Sequence, residues 1–224
     1  MTEPTAPSLK QTLSRSLIGL LSFALLTAGT VSVTLWLTAD QIEENRRLAA
    51  ARWLHELAPP DRYDIDLDHP LLLPAAPQLG HQQPFAAHLA WQNGEPALWL
   101  LPVIASGGYT GDIHLLVALN LKGQLAGVRV VEHRETPGLG DKIETAKSDW
   151  IHTFAGRSLT DPSPENWAVR RDGGVFDQFT GATITPRAIV NSLKQTLLWQ
   201  VDALDELNRI ATSETHRLEH SQDE

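Results

Sequence analysis

Between Ser16 and Ala39 the chain carries no charged residue and is dominated by Leu, Ala, Val, Ile and Thr. Wound as a helix, that run spans roughly 36 Å, enough to cross the hydrocarbon layer of a bilayer. A signal peptide has a shorter apolar core followed by a small-residue cleavage site. Ala28-Gly29-Thr30 imitates such a site, but the apolar run continues well past it. The pattern predicts an uncleaved anchor over residues 16–39. Ile42, Leu48, Trp53 and Leu57 then give residues 41–57 the spacing of an amphipathic helix leaving the membrane. From Ala58 to Pro84, prolines at 59, 60, 70, 74, 77 and 84 predict an irregular loop.

From Ala97 the pattern turns β-like. Ala97–Ile104 and Ile113–Leu119 are apolar runs, and Leu125–Val131 is rich in valine. The last two are joined by Asn120-Leu121-Lys122-Gly123-Gln124, a hairpin loop by composition. Gly107-Gly108-Tyr109-Thr110-Gly111 gives the second run a tight entry, and a further strand is expected at Trp167–Arg170, before a turn at Asp172-Gly173-Gly174. Beyond Pro186, Val190, Leu193, Leu197, Val201 and Leu204 recur at helical intervals. The fold class is α+β behind a single N-terminal transmembrane helix. The expected divisions are a tail at 1–15, the anchor at 16–39, a membrane-proximal helix and Pro-rich loop at 40–95, an α+β domain at 96–212, and a flexible tail at 213–224.

Charge adds an orientation. Lys10 and Arg15 precede the anchor, while Asp40, Glu43 and Glu44 come first after it; Arg46 and Arg47 weaken the contrast. Trp36 stands where an interfacial aromatic belongs. This predicts a cytoplasmic N-terminus and a main domain on the outer face, the periplasm in a bacterium. The formal net charge of −9 argues against nucleic acid as a partner. With no cysteine in the sequence, disulfides, iron–sulfur ligation, thiol catalysis and c-type haem attachment are all excluded. A chain of this kind that handles electrons needs an organic cofactor.

Three segments carry candidate chemistry. Asp64, Asp66 and Asp68 alternate as calcium ligands do, but His69 stands where an EF-hand loop needs glycine and Ala75 where it needs glutamate. A solvated acidic loop accounts for them better, and no metal site is assigned. His133-Arg134-Glu135-Thr136-Pro137-Gly138-Leu139-Gly140-Asp141-Lys142-Ile143 holds a rigid turn followed by bare backbone, which lets the main chain approach a flat ligand. Asp177-Gln178-Phe179-Thr180-Gly181-Ala182-Thr183-Ile184-Thr185-Pro186 places three hydroxyls around a Gly-Ala turn. Pro186 is expected to open a helix with Thr185 as its N-cap, and the free amides and positive dipole end there suit a phosphate. Chemistry alone leaves Thr180, Thr183 and Thr185 all open as groups that contact or join it. No dinucleotide fingerprint and no catalytic triad spacing is present, so no catalytic residue is assigned.

Taken in order and spacing, these motifs resemble the covalent FMN-binding domain family of membrane flavoproteins, and within it the G subunit of the Rnf/Rsx-type ion-translocating electron transport complex. The resemblance covers nearly the whole chain except the loop at 58–84. It implies an antiparallel sheet with flanking helices, and FMN joined through its phosphate to a threonine as a phosphoester. The family pattern reads Asp, two variable positions, Ser or Thr, Gly, Ala, Thr, which carries the acceptor onto Thr183 and the Ser-or-Thr position onto Thr180. Thr185 is then explained as the helix cap, and Pro186 departs from the small polar residue expected there. Gly181 and Ala182 complete the turn. Asp177 is assigned to the grip of a separate flavin transferase, Thr136, Leu139 and Gly140 to the isoalloxazine ring, and Lys142 to flavin charge. His133 and Glu135 are read as loop supports. The implied protein is an electron carrier within a larger complex rather than an independent enzyme, single-pass in the bacterial inner membrane, with the complex's other membrane subunits as partners. The alternatives are the C subunit of a sodium-translocating NADH:quinone reductase, or a cofactor-free tethered binding or assembly module.

Overall fold

The structure, a computed structural model, describes residues 9–221. Residues 1–8 of the expected N-terminal tail and 222–224 of the expected C-terminal tail lie outside them. The chain divides into two compact units, one up to Ala50 and one from Ala51.

Helix α1 (Leu9–Leu57) runs without a break through the expected anchor; its residues up to Ala50 belong to the first unit and those from Ala51 to the second. Its part from Arg15 onward is long and apolar enough to cross a membrane, and the large apolar side chains from Leu17 to Leu37 are all exposed. Most hydroxyls in this stretch are satisfied by the helix itself. Ser22 donates to the Ile18 carbonyl (2.8 Å), Thr27 to Phe23 (2.9 Å), Thr34 to Thr30 (2.9 Å) and Thr38 to Thr34 (2.8 Å). Back-bonding of this kind removes the penalty that free hydroxyls carry in hydrocarbon.

The second unit is built on an antiparallel sheet. Its strands are β1 (Asp64–Ile65), β2 (Leu71–Leu73), β3 (Phe85–Gln92), β4 (Glu95–Ala105), β5 (Ile113–Asn120) and β6 (Leu125–Glu132). The order is β1-β3-β4-β5-β6, with β2 also paired to β3. The period-2 alternation splits strands β3, β4 and β5 between two cores, one on each face of the sheet. Trp99, Leu101 and Val103 of β4 and Leu115, Val117 and Leu119 of β5 join the larger core. Leu98, Leu100, Leu116 and Ala118 point the other way, onto Leu54, Leu57 and Ala58 at the end of α1. Gly127 of β6 makes room there, since a Cβ on it would lie 2.7 Å from the Leu57 methyl.

Strands β4, β5 and β6 fall where the apolar runs predict them. Strand β3 does not, because Phe85–Gln92 was expected inside the membrane-proximal segment. It is a paired interior strand, turned into β4 by Asn93 and Gly94, both at positive φ (55° and 81°), the two-residue turn that suits strand twist. The segment 58–84 is not wholly irregular, since β1, β2 and a 3-10 turn at Pro77–Leu79 punctuate it. Within it Asp66 forms a local turn, accepting from the amides of Asp68 (3.1 Å) and His69 (3.0 Å). Burial opposes its ionisation, but the His69 ring and those amides together hold its carboxyl below the usual range. Among the described residues, no three His, Asp or Glu side chains gather as a metal site requires.

The expected strand at Trp167–Arg170 is also corrected. Only a single bridge joins Val169 to Phe176, because Trp167 turns inward and its Nε1–H donates to the carbonyls of Ser158 and Pro162 (both 3.0 Å). Helix α2 (Ile184–Ser221) crosses the β4 face. Val190, Leu193 and Leu197 are buried as the spacing predicts, but Val201 and Leu204 are exposed, and Gln200, Leu207 and Ala211 take the inward positions. The helix also continues through residues 213–221, where a flexible tail was expected; Thr215 bonds back to Ala211 (3.0 Å) and Arg217 pairs with Glu214.

Candidate cofactor site

The site is assembled where α2 begins. Phe179 is buried and packs edge-on against Trp150 at 5.2 Å, and the Trp150 Nε1–H donates to the Asp177 carbonyl at 2.8 Å. That bond pins the start of the motif to the core. The Ala182 amide then donates back to the Phe179 carbonyl (3.1 Å), closing a four-residue turn over Thr180 and Gly181. Gly181 has φ +83°, the left-handed value that the third position of a type II turn needs. Thr180, at the corner, is exposed.

The next residue is the helix cap. The Thr183 carbonyl accepts from the Arg187 amide (3.2 Å), the first bond of α2, which makes Thr183 and not Thr185 the N-cap. The expectation that Pro186 stands first in the helix is off by two positions. Proline is tolerated anywhere in the first turn, whose N–H groups have no helical partner. Among the described residues the amides of Ile184 and Thr185 donate to nothing, and half-buried Thr183 immediately precedes them in the chain. This is a phosphate-ready helix end carrying a hydroxyl.

Thr185 is fully buried, and its hydroxyl donates to Glu135 Oε2 at 2.5 Å. The other carboxylate oxygen of Glu135 accepts from the Thr110 amide (3.1 Å) and hydroxyl (3.3 Å). The three motifs therefore meet on one acid. The His133–Ile143 loop is folded by its own groups: the Thr136 carbonyl accepts from the amides of Leu139 and Gly140 (both 3.1 Å), and buried Asp141 accepts from the Gly138 amide (2.9 Å). Leu139 is 44% exposed, and a Cβ on Gly181 would lie 3.6 Å from its methyl, so the two turns stand side by side.

Comparison with known proteins matches this arrangement. The profile of the FMN-binding domain fits residues 108–198, and that of the RnfG N-terminal region fits residues 1–57. The G subunit of the ion-translocating oxidoreductase complex of Photorhabdus laumondii is 47% identical over 84% of this chain and 90% of its own. The same protein of Vibrio atlanticus is 46% identical over 77% and 83%, and that of Pseudomonas aeruginosa 47% over 81% and 84%. The chain belongs to the family of ion-translocating oxidoreductase complex G subunits. The crystal structure of Shewanella oneidensis NqrC aligns over 64% of this chain and 70% of its own, at 22% identity and a TM-score of 0.42, a likeness too slight to bear on function.

In this member of the family, the remaining expected residues separate. Thr180, Gly181, Ala182 and Thr183 share one turn, with Thr136 and Leu139 on the loop beside it. Gly140 is buried, and a Cβ on it would meet Glu135 Oε2 at 2.8 Å and Thr185 Oγ1 at 2.9 Å, so its bareness serves that pair. Lys142 is exposed on a 3-10 turn and, among the described residues, has no ion-pair partner. Asp177 is two-thirds exposed and pairs with Arg170 at 2.9 Å, which leaves its carboxylate at the surface. Arg187 had no expected role. It stands one turn past Thr183 and is bound by both its Nε and a terminal nitrogen to Asp172 (2.6 and 2.8 Å). Those bonds hold the Asp172 carboxyl below its usual range and raise Arg187 above its own. The guanidinium is thus already committed to a partner.

Proposed function

We propose that this chain carries FMN covalently, as a phosphoester on the Thr183 hydroxyl, and relays electrons within an ion-translocating oxidoreductase complex. Its family makes it an FMN-binding component of such a complex. The observation that carries the finer reading is the place of Thr183, which caps α2 beside two unpartnered amides while Thr185 is buried and bonded to Glu135. FMN, when bound, supplies one- and two-electron chemistry that no side chain of a cysteine-free chain provides. The protein's own part is binding and placement. Its helix end offsets phosphate charge, and its glycine turns leave backbone bare beside exposed Leu139.

Attachment forms a bond from Thr183 Oγ1 to phosphorus, and the hydroxyl proton and the donor's leaving group depart together. A separate flavin transferase, acting on a flavin nucleotide whose phosphate carries that leaving group, supplies the donor. Asp177 at the surface is suited to the grip of that enzyme. The remaining reading is topological: one span through the inner membrane over residues 16–39, the N-terminus in the cytoplasm, the sheet domain in the periplasm, and the other membrane subunits as partners. The charges at Lys10 and Arg15 against Asp40 and Glu44 support it.

The test is the chain made with and without its host's flavin transferase, as wild type and Thr183→Val, read by intact mass and in-gel flavin fluorescence. Both signals in wild type and neither in the variant support the reading. Retention of both in the variant removes Thr183 as the acceptor. A wild type left unmodified by an active transferase removes the covalent carrier.

A further inference from the structure

Glu135 stands out among the buried polar groups of the domain. Its side chain is 5% exposed, yet among the described residues no lysine or arginine pairs with it. All its partners are neutral donors, and they come from two distant segments: Thr110 in the Gly107–Gly111 turn and Thr185 in the first turn of α2. Its own backbone amide donates to His133 Nδ1 (3.0 Å), and His133 Nε2 lies 3.0 Å from Glu144 Oε1, so the main chain that carries the acid is itself fixed. Two glycines leave the space it fills. A Cβ on Gly108 would approach Oε1 to 2.8 Å, and one on Gly140 would approach Oε2 equally closely. Burying an acid without a cation is costly, and here the return is three hydrogen bonds that join three turns.

We propose that Glu135 is the positioning residue of the attachment site. By holding the Thr185 hydroxyl it fixes the register in which α2 begins, and so sets Thr183 as the cap with its hydroxyl beside the free amides. The same bond keeps the Thr185 hydroxyl, the competing nucleophile two residues away, turned inward and fully buried. This rests on the reading of Thr183 as the flavin acceptor. The carboxylate does not touch the reacting atoms; its effect passes through the backbone of α2.

Glutamine at this position keeps the clamp. Its oxygen accepts from Thr110, and its amide donates to a Thr185 hydroxyl turned to accept. Alanine keeps nothing. The full-length chain would be made as wild type, Glu135→Gln and Glu135→Ala. The flavinylated fraction would be measured by intact mass after production with the transferase, and amide hydrogen exchange after production without it.

Glu135→Ala should lower the flavinylated fraction and speed exchange at the Thr110 amide, each by about tenfold, the factor carried by a lost hydrogen bond to a buried charged group. Amides of β5 such as Val117 should keep their protection. Glu135→Gln should restore both readouts to near wild type. Wild-type flavinylation in Glu135→Ala, or a glutamine variant as defective as alanine, overturns the proposal. If Glu135→Ala loses the sheet, Thr185→Ser and Thr185→Val pose the same question from the other side: serine should keep flavinylation and valine lose it, and equal flavinylation of the two overturns the clamp. A wild type that takes up no FMN overturns the acceptor reading and this one together, whereas a flavinylated wild type with an equally flavinylated Glu135→Ala overturns this one alone.

Discussion

Replacing Gly140 by alanine sets two effects of opposite sign against each other. The backbone at Gly140 has φ −86° and ψ −18°, a right-handed conformation that alanine adopts without strain. On backbone grounds alone the change would stabilise by about 0.4–1 kcal/mol, through a less disordered unfolded chain. The added methyl, however, would stand 2.8 Å from Glu135 Oε2, 2.9 Å from Glu135 Cβ and 2.9 Å from Thr185 Oγ1. These neighbours cannot simply swing away, because the carboxylate is held by Thr110 on one side and Thr185 on the other. Overpacking of this kind costs about 1–3 kcal/mol. Loosening a hydrogen bond to a buried carboxylate adds roughly another 1–3 kcal/mol. Steric cost exceeds the entropic gain, and the net expectation is a loss of about 3 kcal/mol, a fall in Tm of roughly 6–12 °C for a chain of this size. Thermal unfolding of the full chain in detergent, followed by near-ultraviolet circular dichroism, measures it. A Tm equal to or above that of wild type would mean that the Glu135–Thr185 pair does not fill the space beside Gly140, and would refute the description of the site.

Other contacts of the site set two more outcomes. Trp150→Phe keeps an aromatic ring against Phe179 but removes the N–H that the Asp177 carbonyl accepts; denaturant unfolding should show a loss of about 1–2 kcal/mol, the cost of an unsatisfied partly buried acceptor, and an unchanged midpoint would mean the bond anchors nothing. The Asp172–Arg187 pair sets a pH dependence. The folded pKa of Asp172 is lowered, chiefly by its hydrogen bonds to Arg187, so its stabilisation is fully present above the ordinary value near 3.8 and is lost as pH falls through the folded value. Wild type should exceed Asp172→Asn in Tm by a small constant margin from pH 5 to 7 and converge with it in strong acid; the margin is small because water screens an exposed pair. A margin that grows as the pH falls would contradict the assignment.

The sequence made some of this architecture readable and hid the rest for identifiable reasons. Strands β4 and β5 are legible because both of their faces are covered, which makes their residues near-continuous apolar runs, and β6 through Val128, Val130 and Val131. Strand β3 has three alanines among its eight residues, at 86, 87 and 90, and they carry little β preference. Its one strong local signal is Asn93-Gly94 at the turn, and a single such dipeptide beside a weak strand is easily passed over. The start of α2 is displaced by two residues from its expected place because Pro186 and Thr185 imitate an opening, while the real cap is set by a tertiary bond to Glu135. That bond joins residues 50 apart in sequence, and the one to Thr110 joins residues 25 apart. No local pattern encodes such a meeting. What the motifs did reveal was the set of segments that meet, and the comparisons assign those segments to one family.

The most direct test of the central claim is to locate the flavin. Trypsin should cut the chain after Arg171 and after Arg187, releasing one peptide that contains Thr180, Thr183 and Thr185 together. Fragmentation of that peptide, from chain made with an active flavin transferase, distinguishes the three. The predicted result is a mass increase equal to FMN less one water, borne by Thr183 alone. The same increase on Thr185 would contradict the buried clamp, an increase on Thr180 would move the attachment to the turn's exposed corner, and an unmodified peptide would contradict the covalent carrier itself.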